Sequence, residues 1–132
     1  MLKTAAARVV TAAAAALGLV VAVQGTASAA PKSISVGSGG YGQWNADPSG
    51  GIPGDSIRAC DAAADGWSVE VRLDIGRNGT WDRVTSTRGH NSPYCGAWKS
   101  GDIQEGTPVS IQVTYVNGEV TYPKGSLLLS HA

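Results

Sequence analysis

His90 and His131 are the only imidazoles in the 132 residues, so a hydrolytic chemistry would have to rest on one of them. His131 is next to the last residue, where chains fray. His90 lies in Arg88-Gly-His-Asn-Ser-Pro-Tyr94, a polar stretch ending at Cys95. With Ser92 or an aspartate it could form a nucleophile–base pair. No nucleophile elbow or oxyanion-hole signature accompanies it. No catalytic residue is therefore assigned, and the expected protein is not an enzyme. Arg88, His90 and Asn91 are kept as candidates for an interaction loop, because loops pinned to a rigid scaffold often carry binding.

Three other patterns suggest chemistry and weaken on inspection. Gly37, Gly39, Gly40 and Gly42 in SVGSGGYG fit the pattern G-x-G-x-x-G. A dinucleotide turn needs a helix starting at its last glycine, with amides aimed at the pyrophosphate. Gln-Trp-Asn-Ala-Asp-Pro-Ser-Gly-Gly follows instead, so the stretch reads as a glycine-rich surface loop. Asp61-Ala-Ala-Ala-Asp65-Gly66 could place carboxylates around calcium, but it lacks the dense oxygen donors of an EF-hand loop. It reads as a turn, with Asp-Gly reversing the chain and Asp61 capping it. Cys60 and Cys95, with no histidine pair nearby, make a poor zinc site. No metal or cofactor is expected.

An even cysteine count in an exported chain argues for a Cys60–Cys95 disulfide. The aromatic inventory is the least ordinary feature: four Trp, four Tyr and no Phe. Aromatic side chains with a polar edge are favoured in binding sites, and flat rings stack on sugars. Tyr41 and Trp44 fall in the glycine-rich loop, and Tyr94 and Trp98 flank the second cysteine. These four are the ligand-binding candidates. Trp67 and Tyr115 align with core faces.

The elements that must position these residues are strands. Trp67, Val69, Val71, Leu73 and Ile75 alternate with Ser68, Glu70, Arg72 and Asp74, giving a dry face and a wet one. Val109 to Tyr115 alternates in the same way. Asn117-Gly118 is a hairpin signal, with a return strand from Glu119, a bend at Pro123 or Gly125, and a buried run over Ser126 to Ser130. Gly76-Arg77-Asn78-Gly79 joins the 67–75 strand to one over Thr80 to Thr87. Asp55 to Asp61 and Ser33 to Val36 complete the set, the last as an edge strand, while residues 37–54 read as loop. No ten-residue stretch after residue 29 has helical spacing. The fold expected is all-β, a small antiparallel β-sandwich or barrel of six to seven short strands with one disulfide. A Gly-rich segment over 30–54 would precede a β-domain core over 55–132.

Residues 1–29 read as a secretory signal peptide: Lys3 and Arg8, an apolar run from Val9 to Val23, then Ala27-Ser28-Ala29 as the cleavage site. Without Lys3 and Arg8 the remainder carries eight basic and ten acidic residues, a net of −2. No basic patch tracks a phosphate backbone, so nucleic acid is not an expected partner. Nothing suggests a membrane surface once the signal is removed. A monomeric, secreted, extracellular protein is expected.

Cys60-Asp61-Ala-Ala-Ala-Asp65-Gly66-Trp67, with Pro93-Tyr-Cys95 and Glu105-Gly106, resembles a group of short secreted bacterial proteins with one disulfide and a Cys-Asp-x-x-x-Asp-Gly stretch. The resemblance spans roughly residues 54–116, and the alanine-rich leader suits a high-GC bacterial source. It implies fold and export, and no agreed activity comes with it. The function expected is a secreted binding or interaction module for a cell-wall or environmental polysaccharide or another secreted protein. The alternative is an inhibitor of a hydrolase acting through residues 88–94.

Overall fold

A computed structural model describes residues 30–122 and 125–132. The signal peptide expected over 1–29 and the bend expected at Pro123 lie outside the described residues. Every regular element among the described residues is a β-strand: β1 (Lys32–Val36), β2 (Gly40–Asn45), β3 (Ser56–Asp61), β4 (Ser68–Ile75), β5 (Arg83–Ser86), β6 (Tyr94–Cys95), β7 (Pro108–Asn117), β8 (Val120–Thr121) and β9 (Ser126–His131). One sheet runs β1-β2-β3-β6; the other runs β5-β4-β7, with β8 and β9 both paired to β7. All pairings are antiparallel. The two sheets stack as an open-edged β-sandwich, not a closed barrel.

The alternation in β4 and β7 does what its period requires. Val69, Val71 and Leu73 pair with Tyr115, Val113 and Ile111, and the five aliphatic side chains are fully buried. Ile34, Trp44, Ile57 and Ala59 of the first sheet close the core from the other side. The expected wet face of β4 is drier than its polarity implies. Asp74 is 4% exposed because its carboxylate accepts the amides of Asn78 and Gly79 at 2.9 and 2.8 Å, folding the 76–79 turn over itself. Glu70 is 8% exposed beneath Arg72 (2.6 Å) and Arg88 (3.7 Å).

The largest correction concerns residues 37–54. Gly40–Asn45 is not loop but strand β2, paired with β1 on one side and along its whole length with β3 on the other. The core is therefore not confined to 55–132. The glycines are what let β2 sit there. A Cβ on Gly40 would lie 2.3 Å from Val69 Cγ2, and one on Gly42 would lie 2.5 Å from Val113 Cγ2 and 2.7 Å from Val71 Cγ2. The G-x-G spacing is a strand period that brings the two sheets together, and no phosphate turn exists. Gly42→Ala is expected to destabilise by about 1–3 kcal/mol through overpacking, read as a lower urea midpoint with unchanged slope.

Smaller differences follow from local chemistry. Nine strands replace the six or seven expected, because β6 and β8 are two residues each and β2 has glycine where apolar side chains would signal a strand. The strand expected over Thr80 to Thr87 shortens to Arg83–Ser86. The hairpin after β7 is present, with Asn117 paired to Val120 and Gly118 at φ 57°, so the reversal sits one residue later than read from Asn117-Gly118.

Candidate binding site

β2, β4 and β7 all have an end at one pole of the sandwich, and the loops there meet. The 37–39 turn, the 61–67 turn and the 88–92 loop surround Trp67, which forms part of two clefts. The first, about 370 Å³, lies between Asp61, Ala63 and Trp67 on one side and His90, Asn91 and Ser92 on the other. The second, about 360 Å³, is bounded by Gly37, Gly39 and Asp65 and by the rings of Trp67, Tyr115 and Tyr122. Trp67 is therefore a wall shared by both.

The local structure that holds this ring is explicit. Asp65 Oδ1 accepts the Trp67 amide at 3.0 Å and Asp61 Oδ1 accepts the Ala63 amide at 3.1 Å. Both acids close backbone turns, the use expected of Asp61-Ala-Ala-Ala-Asp65-Gly66. Trp67 meets Tyr122 edge-on, centroids 6.4 Å apart, and Tyr122 meets Tyr115 likewise at 6.3 Å. Such T-shaped pairs place a positive ring edge on a negative ring face. The Tyr115 hydroxyl accepts the Gly39 amide at 2.7 Å and donates to the Val36 carbonyl. That fixes the glycine-rich turn against β7. A Cβ at Gly39 would stand 2.6 Å from the same oxygen. Trp67 is half-buried and Tyr122 exposed, so apolar ring surface remains open to solvent.

The residues singled out from sequence divide. Trp44, expected on a surface loop, is 1% exposed in the core, so its ring has no surface to offer a ligand. Its Nε1 has no hydrogen-bond partner among the described residues. Tyr41 and Tyr94 meet beside the Cys60–Cys95 disulfide in a shallow cleft with Pro93 and Ala62. The Tyr41 hydroxyl lies 3.7 Å from Cys95 Sγ. Trp98 is half-buried, with the Arg58 guanidinium 4.7 Å from its ring centre. Tyr41 and Tyr94 thus line a second, flatter surface at the bridge, which joins the Trp67 pole through the stacking of Tyr94 on His90, while Trp98 is not among its lining residues.

Arg88, His90 and Asn91 are all exposed, as an interaction loop requires. Arg88 donates to the Gly118 carbonyl and stands beside Glu70, so its guanidinium is partly engaged. His90 stacks on Tyr94, centroids 3.8 Å apart and planes 6° from parallel. Ser92 Oγ donates to the Asp61 carbonyl, and no bond joins it to His90. The nucleophile–base pair weighed for these two is not assembled.

The opposite pole has a larger hollow, about 560 Å³, lined by Asp47, Asp55, Asp102 and Glu105 among others and by no aromatic ring. Asp55 accepts the Ile103 amide at 2.9 Å, and Arg83 donates to the Asp55 carbonyl. Burial lowers the Arg83 pKa from its ordinary value, opposed by the charges of Asp55 and Asp82.

Sequence reasoning missed Trp67 and Tyr122 as site residues. The alternation from Trp67 to Ile75 assigned Trp67 to the core face. A signal against that assignment was available: Trp67 directly follows the Asp65-Gly66 turn, where the sheet ends and the core thins. No family model, no curated protein and no solved structure matches the chain.

Proposed function

We propose that the protein is a secreted, non-enzymatic binding module that takes an extracellular polysaccharide at the Trp67 pole. The observation carrying this reading is a single one: Trp67 stands as a common wall of two clefts, with an open ring face and the exposed Asp65 carboxylate beside it. Apolar ring faces match the C–H face of a sugar, and the Asp65 carboxylate offers a polar acceptor at its edge. Its geometry is set by T-shaped pairing and by the Tyr115 hydroxyl, so little side-chain freedom is lost on binding. Among the described residues no helix is long and apolar enough to cross a membrane. The disulfide and the leader reading support an extracellular setting.

Co-sedimentation of the oxidised protein with chitin, cellulose and peptidoglycan tests this. Binding to one of them is expected, weakened at least about tenfold by Trp67→Ala, the loss of one aromatic hot spot of roughly 2 kcal/mol. Unchanged circular dichroism would show that the variant keeps its fold. Retention of full affinity by Trp67→Ala would remove this pole as the site. Failure to bind any of the three would favour the second reading, an inhibitor presenting residues 88–94 to a hydrolase. That reading is supported by the stacked, exposed His90 on a loop tied down at Cys95.

A further inference from the structure

Leu127 and Leu129 are 60% and 57% exposed and, with Val120, are the most exposed large aliphatic residues among the described residues. Both project from β9 on the outer face of the second sheet, opposite the polar residues Gln112 and Ser110 of β7, and remain exposed. Among the described residues β9 is paired on one side only.

The backbone on its other side can be worked out. Residues facing each other across an antiparallel pair alternate between exchanging both hydrogen bonds and exchanging none. Pro108 has no N–H, so the Pro108–His131 pair is of the unbonded kind. Alternation then makes Val109–Ser130, Ile111–Leu128 and Val113–Ser126 the bonded pairs. The N–H and C=O groups of Leu127 and Leu129 therefore point away from β7, along the free edge. The same two residues present both apolar side chains and unpaired backbone.

The other edges are protected in ways β9 is not. β1 begins at Lys32, and its Ser35 carbonyl is taken by Ser126 Oγ. β5 begins at Arg83 between Asp82 and Arg88, and β6 has two residues. Charged side chains and short length are the usual defences of a sheet edge. β9 reads Ser-Leu-Leu-Leu-Ser-His, with neither.

We propose that β9 is an assembly edge at which two copies of this chain join by antiparallel pairing about a two-fold axis through Leu128. The occupant is a second copy because Ser126 to Ser130 reads the same in both directions. In that register Leu127 of one copy opposes Leu129 of the other, twice, and both are the residues whose backbone points outward. Those pairs become bonded pairs, Leu128 meets Leu128 in the unbonded position, and serine meets serine at each end. Antiparallel self-pairing meets the two-fold condition that i contacts j and j contacts i, and here it also sets leucine against leucine on the exposed face. Charge does not oppose it: Lys32, which donates to Ser130 Oγ at 3.2 Å, and its copy lie at opposite ends of the strip. A single strand pairing is narrow beside the roughly 1,200–2,000 Å² of a standard interface. The dimer is accordingly weak, populated as concentration rises from low micromolar to millimolar. Its two Trp67 poles would engage a polymer bivalently, but the dimer itself does not depend on that reading.

Analytical ultracentrifugation over that range, with amide hydrogen exchange at both ends of it, tests the proposal. A concentration-dependent dimer is expected, with the Leu127 and Leu129 amides protected only at high concentration. Leu129→Lys should weaken association at least about tenfold, because it places charge on the paired edge. Val120→Lys, at another exposed apolar site, should leave it unchanged. A monomer at millimolar concentration, a dimer that survives Leu129→Lys, or one whose Leu127 and Leu129 amides stay unprotected would each overturn it.

Discussion

Trp44→Ala is expected to cost about 3–5 kcal/mol, the range for deleting a fully buried large aromatic side chain. The described residues number about 100, so the melting temperature should fall by about 15–30 °C. Trp44 sits between Ile57 of its own sheet and the aliphatic side chains of the second, where glycine at positions 40 and 42 leaves it as the one large inward side chain of β2. Trp44→Phe is the discriminating companion. It keeps most of the ring and removes the unpaired Nε1–H, whose burial itself costs about 1–3 kcal/mol. It should come within about 1.5 kcal/mol of wild type. Urea unfolding of both variants decides the matter: equal losses would mean that ring volume is not what Trp44 contributes. Any loss of ligand binding in Trp44→Ala should track the unfolded fraction, since the ring reaches no surface.

Removing the disulfide by Cys60→Ser with Cys95→Ser is expected to cost about 4 kcal/mol, from the chain-entropy relation for a loop of about 36 residues. Cys60 and Cys95 are direct partners across β3 and β6, with a sequence separation of 35. β6 has only two residues, with Asp61–Tyr94 the one further pair and Gly96 N–H to the Ala59 carbonyl the next bond. Small domains have about 5–15 kcal/mol in total, so the bridge is a large fraction. Denaturation with and without reductant reads this directly. A difference under about 1 kcal/mol would mean that β6 is held by its other contacts. Residues 88–94 should lose amide protection first, because Tyr94 anchors His90 and is itself anchored by Cys95.

The parts of the fold legible in sequence were those with a side-chain period. β4 and β7 announced themselves by alternation of branched aliphatic with polar residues; the run read as buried over Ser126 to Ser130 is a strand, but an edge strand whose Leu127 and Leu129 are exposed, because three successive leucines cannot all face one side of a sheet. The all-β class and the disulfide followed. β2 was illegible because its inward positions are Gly40, Gly42 and Trp44: the signal for a strand is apolar bulk, and here close sheet approach demands its absence. Trp44 was misplaced for the same reason. At the site, residues 88–94 could be recognised as a candidate loop because a cysteine ends them. Trp67 was given to the core by its parity although it follows the Asp65-Gly66 turn, and Tyr122 could not be recognised, because no local pattern records that the chain after β8 meets that turn in space. Tyr115 shows the limit from the other side. Its parity is that of the core, and its ring packs there, yet its hydroxyl shapes the cleft.

The Tyr115 hydroxyl also has a kinetic consequence. It joins residues 76 and 79 positions apart in the chain, Gly39 and Val36, to the middle of the second sheet. Closing so long a loop is entropically slow relative to forming adjacent hairpins. β4 and β5, or β7 and β8, can associate locally, but the Trp67 pole exists only once the β1–β2 hairpin has docked across the whole chain. Recovery of ligand binding during refolding would then lag behind recovery of sheet signal, making occupancy of this pole a late reporter of the completed molecule.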